Sequence, residues 1–140
     1  MSTPLNTRDA PAEMDAAERT AYTGLRAAQF LAHTTATNAG WYRDPATGAP
    51  KQRNVGEVIA LMHSELSEAL EAYRKNLMDD KLPNRPGLEV EFADCIIRIL
   101  DTAAALGLDV AGALIEKNRF NQQRADHKLE ARNAVGGKRF

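Results

Sequence analysis

The chain has 140 residues, 44% of them apolar and 26% charged, a formal net charge of −1 and one cysteine. That length suits a single compact domain with a sizeable core, and the balanced charge gives no global attraction to nucleic acid or to an acidic membrane. Cys95 excludes an internal disulfide and fits a reducing compartment as a small buried filler. No apolar run reaches the length of a membrane span and the N-terminus lacks a signal-peptide core, so the expected location is cytoplasmic, with no membrane partner.

Residues 1–11 are polar, contain two prolines and read as a loose tail. From about Ala12 to Ala39 an Ala-rich stretch anchored by Tyr22, Leu25, Phe30 and Leu31 predicts a helix closed at Gly40, weakened by Gly24 and the run Thr34 to Thr37. Trp41 to Arg53 (WYRDPATGAPKQR) is a loop by its Pro and Gly content. Asn54 can cap a second helix, with Glu57 completing a capping-box-like pair, and apolar spacing from Val55 to Tyr73 carries it to about Lys75. After a loop, Asn76 to Pro86, a third helix runs from about Gly87 to Leu106 and ends at Gly107. Asp109 caps a fourth, Val110 to about Arg124. Residues 125–140 form a polar tail on which no structure is predicted. Nothing has strand period, so the expected fold is all-α, a four-helix bundle in one domain, 1–140.

Two acidic motifs stand in the middle helices, Glu65-Leu-Ser-Glu68 and Glu91-Phe-Ala-Asp94. Carboxylates three residues apart point to one side of a helix. On the third helix Glu91, Asp94, Arg98 and Asp101 share one narrow stripe and apolar residues cover nearly everything else, so this helix reads as buried almost all round. Carboxylates buried there need partners. Glu65 and Glu68 rank as inward-facing on the second helix, Glu71 as solvated, and antiparallel packing lets the two acidic pairs meet. A set of oxygen ligands alone favours Mg²⁺, with Mn²⁺ as the other choice, over zinc. The competing reading of each motif is surface decoration.

The fourth helix continues an apolar face through Lys117, Asn121 and Arg124, a row of donors suited to a polyphosphate beside such an acidic cluster; the plain alternative is a basic helix end. The histidines offer little: His63 points away from Glu65, and His33 and His127 lack zinc-type spacing.

Glu65-x-x-Glu68, Glu91-x-x-Asp94 and Lys117-x-x-x-Asn121-x-x-Arg124, in that order and spacing, resemble the MazG-like all-α nucleoside triphosphate pyrophosphohydrolases over about Asn54 to Arg124. The resemblance implies Mg²⁺-dependent cleavage of a (deoxy)nucleoside triphosphate between the α- and β-phosphates, and a homodimer or homotetramer with sites partly across the interface. It implies Glu65, Glu68, Glu91 and Asp94 as metal ligands, and Lys117, Asn121 and Arg124 on phosphate oxygens. Glu68 is the expected acceptor of the attacking water's proton. Arg98 either touches phosphate or pairs with Asp94 and Asp101; Trp41 either stacks on the base or closes the core. Ser64 stands where many members have a further glutamate, and the ending Gly136 to Phe140 resembles a tail of some relatives.

Two other expectations stand beside this one. One is a non-catalytic helical binding or regulatory module in which the acids are structural ion pairs with Arg98 and Lys117. The other is a pyrophosphohydrolase of a nucleotide-like metabolite such as phosphoribosyl-ATP.

Overall fold

The computed structural model describes residues 13–138. The expected N-terminal tail, residues 1–11, lies outside them, as do Arg139 and Phe140. Five α-helices follow in order: α1 (Ala16–Asn38), α2 (Val55–Lys75), α3 (Gly87–Ala105), α4 (Val110–Gln123) and α5 (Leu129–Asn133), with a 3-10 turn at Ala125–His127. The described residues contain no β-strand, only two isolated bridges, Arg43 with Pro50 and Met78 with Pro86. The protein is all-α, and no described helix is long and apolar enough to cross a membrane.

Side-chain caps set most of the boundaries. The α1 helix begins at Ala16 because Asp15 and Glu18 form a reciprocal box: Glu18 N–H donates to Asp15 Oδ1 at 2.8 Å and Asp15 N–H to Glu18 Oε2 at 3.0 Å. Asn54 accepts from Glu57 N–H at 3.2 Å and starts α2; Asp109 accepts from Gly112 N–H at 3.0 Å and starts α4. The α2 helix stops where Asn76 turns left-handed (φ 51°), a conformation Asn tolerates better than most residues. Gly107 adopts φ 67° after α3, and Leu108 N–H returns to Ala103 O at 2.8 Å. The polar stretch after residue 124, where no structure was predicted, holds the 3-10 turn and the five residues of α5.

The chain packs as two compact units. One runs from Arg26 to Leu108 and contains α2 and α3. These lie antiparallel: the Cys95 thiol at mid-helix approaches Met62 O, while Gly87 at the start of α3 meets Ala72 near the end of α2. A Cβ added at Gly87 would sit 3.0 Å from Ala72 Cβ and 3.3 Å from Leu77 O. Gly87→Ala should therefore cost about 1–3 kcal/mol by overpacking, read from denaturant midpoints; an unchanged midpoint would refute this close approach. Val58, Ala69, Ala72, Cys95, Leu100 and Ala103 are buried in this unit. The other unit joins residues 13–25 to 109–138, and its core is Met14, Tyr22, Ala111 and Ile115, with Leu25 packed against them. There Arg119 grips Glu18 through Nε (2.7 Å) and a terminal nitrogen (2.6 Å), and this holds the Glu18 carboxyl down at about 2.

One expectation is corrected here. The α3 helix is not buried all round: Phe92, Ile96 and Ile97 are 48%, 52% and 50% exposed. Among the described helices α3 packs broadly against α2 alone, so one face is covered while its apolar residues occupy several. The α2 helix likewise leaves Leu66, Leu70 and Tyr73 exposed.

Candidate functional site

The antiparallel α2–α3 pair brings three of the singled-out carboxylates together. One ligand oxygen each from Glu65, Glu91 and Asp94 lies within 4.8 Å of the others. Glu65 is buried, Glu91 half-buried and Asp94 exposed, so the group opens to solvent at one side. Crowding tells on the acids. Glu91 is pushed up to about 7, first by burial, then by its hydrogen bond with Glu65 and by the charges of Glu68, Glu65 and Asp94. Asp94 is raised by burial and by Glu65, with Arg98 opposing. Glu68 is exposed and outside the three-oxygen set, yet near enough for its charge to act on Glu91.

The donor chemistry fits a hard divalent cation. Two oxygens sharing one Mg²⁺ can be at most about 4.2 Å apart, so modest side-chain rotation closes the set. A cation would also oppose the burial and like-charge crowding that raise Glu91. Arg98 supplies part of that positive charge within the chain: its Nε donates to Glu65 Oε1 at 2.7 Å, and a terminal nitrogen lies 2.6 Å from the same oxygen. The sequence left Arg98 either to touch phosphate or to pair with Asp94 and Asp101, its neighbours one turn away; its hydrogen bond crosses to Glu65 on α2.

Asp101 belongs to a second cluster. It lies seven residues beyond Asp94 on nearly the same face of α3, about 10 Å along the helix. Its side chain is only 4% exposed and receives three segments at once. Tyr42 OH donates to Oδ1 at 2.7 Å, His33 Nδ1 lies 2.8 Å from the same oxygen, and Arg53 is 3.4 Å from Oδ2. Facing a carboxylate, His33 Nδ1 carries its hydrogen. The His33 and Tyr42 rings meet edge-on at 5.0 Å, and burial followed by the Asp101 hydrogen bond pushes the Tyr42 phenol well above its ordinary range. This cluster walls a pocket of about 320 Å³, whose lining includes Thr37, Val58 and Thr102.

Trp41 is 63% exposed, and the Arg53 guanidinium lies 5.4 Å from its ring centroid. Arg53 thus links this indole to Asp101. The three donors singled out on the fourth helix lie in the other unit and have local surroundings. Lys117 Nζ lies 4.7 Å from the Phe120 ring centroid, Asn121 has a buried amide oxygen with no hydrogen-bond donor, and Arg124 chelates Asp126 at 2.9 and 2.6 Å.

Sequence reasoning passed over His33, Tyr42 and Arg53. They come from α1 and the loop before α2, and no local spacing links them to Asp101. The one available signal was a carboxylate on an apolar helix, which demands donors from somewhere. No protein-family model matches the chain, and neither a curated protein nor a solved structure matches it.

Proposed function

We propose that the protein is a Mg²⁺-dependent nucleoside triphosphate pyrophosphohydrolase of the MazG-like kind, cleaving between the α- and β-phosphates. The observation that carries this reading is the gathering of one oxygen each from Glu65, Glu91 and Asp94 within 4.8 Å of one another, with Glu91 pushed up to about 7 by burial and by its carboxylate neighbours. The pocket walled by His33, Tyr42 and Arg53 adds support, because it offers a cavity further along the same helix in which a nucleoside could sit.

In this reading Glu65, Glu91 and Asp94 hold Mg²⁺ (or Mn²⁺), which when bound supplies charge neutralisation and a water of lowered pKa. Glu68, exposed at the rim, takes the proton of the water that attacks phosphorus, while pyrophosphate leaves with the bond electrons. The walls of the pocket, Arg53 among them, seat the nucleoside, and Trp41, whose ring centroid lies 5.4 Å from the Arg53 guanidinium, is the aromatic available to stack on the base. The exposed apolar faces of α2 and α3 support assembly as a homodimer or homotetramer.

A panel of nucleoside triphosphates, assayed for pyrophosphate with and without Mg²⁺, tests this. Pyrophosphate release that requires the ion is expected; orthophosphate as first product rejects the cleavage site, and no turnover of any member rejects the enzyme. The Arg98–Glu65 pair favours a second reading, a binding module whose acids are structural ion pairs. The two readings part on the ion: the binding module shows no Mg²⁺-linked nucleotide affinity by calorimetry.

A further inference from the structure

Arg98 directs two nitrogens at a single oxygen of Glu65. This is not the parallel fork on two carboxylate oxygens that makes guanidinium–carboxylate pairs strong. Three of its five N–H donors remain outside those two contacts. The pair is also unevenly exposed: the Glu65 side chain is buried at 8%, whereas the Arg98 side chain keeps 31% of its surface in water. The guanidinium therefore approaches the carboxylate group from the open side and can leave by rotation of its own side chain. Three crowded carboxylates need positive charge, and Arg98 is the cation hydrogen-bonded to this set among the described residues.

We propose that Arg98 is a placeholder for the divalent ion: in the metal-free protein it neutralises Glu65, and it gives up that oxygen when the ion binds, turning its fork to a phosphate of the substrate. The inference rests on the metal-site reading above. It assigns Arg98 two successive partners and makes Mg²⁺ binding a competition within the chain. A residue that only positioned Glu65 as a ligand would act in the opposite direction, since its loss would weaken the ion's site.

The experiment is calorimetric titration of Mg²⁺, and of Mn²⁺ as the tighter probe, into the wild-type protein and the Arg98→Ala and Arg98→Lys variants without nucleotide. Thermal melts of each metal-free protein verify folding. As a placeholder, Arg98→Ala binds the ion roughly tenfold more tightly, its metal-free form melts lower, and Mg²⁺ restores more of its stability than of the wild type's. Arg98→Lys, which keeps the charge and loses the fork, falls between the two. Inorganic pyrophosphate added with Mg²⁺ should bind Arg98→Ala more weakly than wild type. Equal or weaker Mg²⁺ affinity in a folded Arg98→Ala overturns the placeholder and leaves the metal site standing. If neither wild type nor variant binds either ion, both readings fall. Should Arg98→Ala not fold, Arg98→Lys decides by the same sign.

Discussion

Glu91→Gln is expected to raise the melting temperature of the metal-free protein at pH 8 and, in the same protein, to lower Mg²⁺-dependent pyrophosphate release steeply. The stability half follows from linkage. Glu91 titrates at about 7 in the fold against 4.5 in the unfolded chain, so the folded state holds a proton the unfolded state has released. Stability therefore falls as pH rises from about 4.5 through 7, and the deficit is complete above that. At 1.36 kcal/mol per pH unit, and with allowance for solvent around a half-buried cluster, the deficit is about 2 kcal/mol. Glutamine keeps the shape and removes the charge, so its advantage is several degrees at pH 8 and vanishes near pH 4. Asp94→Asn should follow with the same sign, since Asp94 is raised too. The activity half follows from the proposed Mg²⁺ site, in which one ligand of three would be replaced by a weaker, uncharged donor. Turnover should fall by on the order of a thousandfold with the fold intact. A binding module parts from this on the second half alone: it has no Mg²⁺-linked activity to lose.

Asp101→Ala is expected to be the most destabilising substitution in the Arg26–Leu108 unit. It strips Tyr42 OH and His33 Nδ1 of their acceptor and leaves the Arg53 guanidinium without its counter-charge beside a pocket. Losing the acceptor of Tyr42 and His33 and the counter-charge of Arg53, whose side chain is 20% exposed, costs about 2–4 kcal/mol. Asp101→Asn retains one acceptor oxygen and should cost about half as much. A spectrophotometric titration supplies a second readout: with Asp101 neutral, the Tyr42 phenol should ionise at lower pH than in wild type. Urea unfolding that places Asp101→Ala within 1 kcal/mol of wild type would show that this cluster does not hold α1, the loop and α3 together.

Much of the helical frame was legible because its signals are local. Asn54 and Asp109 cap where their spacing to the following N–H groups predicts, and Gly107, read as the end of α3, follows it with φ 67°. The start of α1 was misplaced for a reason equally local: Asp15 and Glu18 have capping-box spacing, but the Ala-rich sequence around them masks the boundary. The acidic line on α3 was legible from helical period, as was its need for partners. That Glu65 of α2 would face Glu91 and Asp94 was legible too; the donors that meet Asp101 were not. Arg98 has acidic neighbours on its own helix and still crosses to Glu65, and Asp101 draws its donors from residues 48 to 68 positions away. Periodicity fixes the face a side chain occupies and carries no information on which distant segment covers that face. The same limit explains α3: an apolar residue signals that a face should be covered, without saying that the covering element lies in the same chain.

The most direct test is Mn²⁺ binding followed by electron paramagnetic resonance, with Mg²⁺ as competitor and no nucleotide present. Wild-type protein should remove Mn²⁺ from solution at a saturable site, Mg²⁺ should displace it, and Glu91→Gln should lose it while remaining folded. A free-Mn²⁺ signal undiminished by wild-type protein would contradict the claim that Glu65, Glu91 and Asp94 form a cation site.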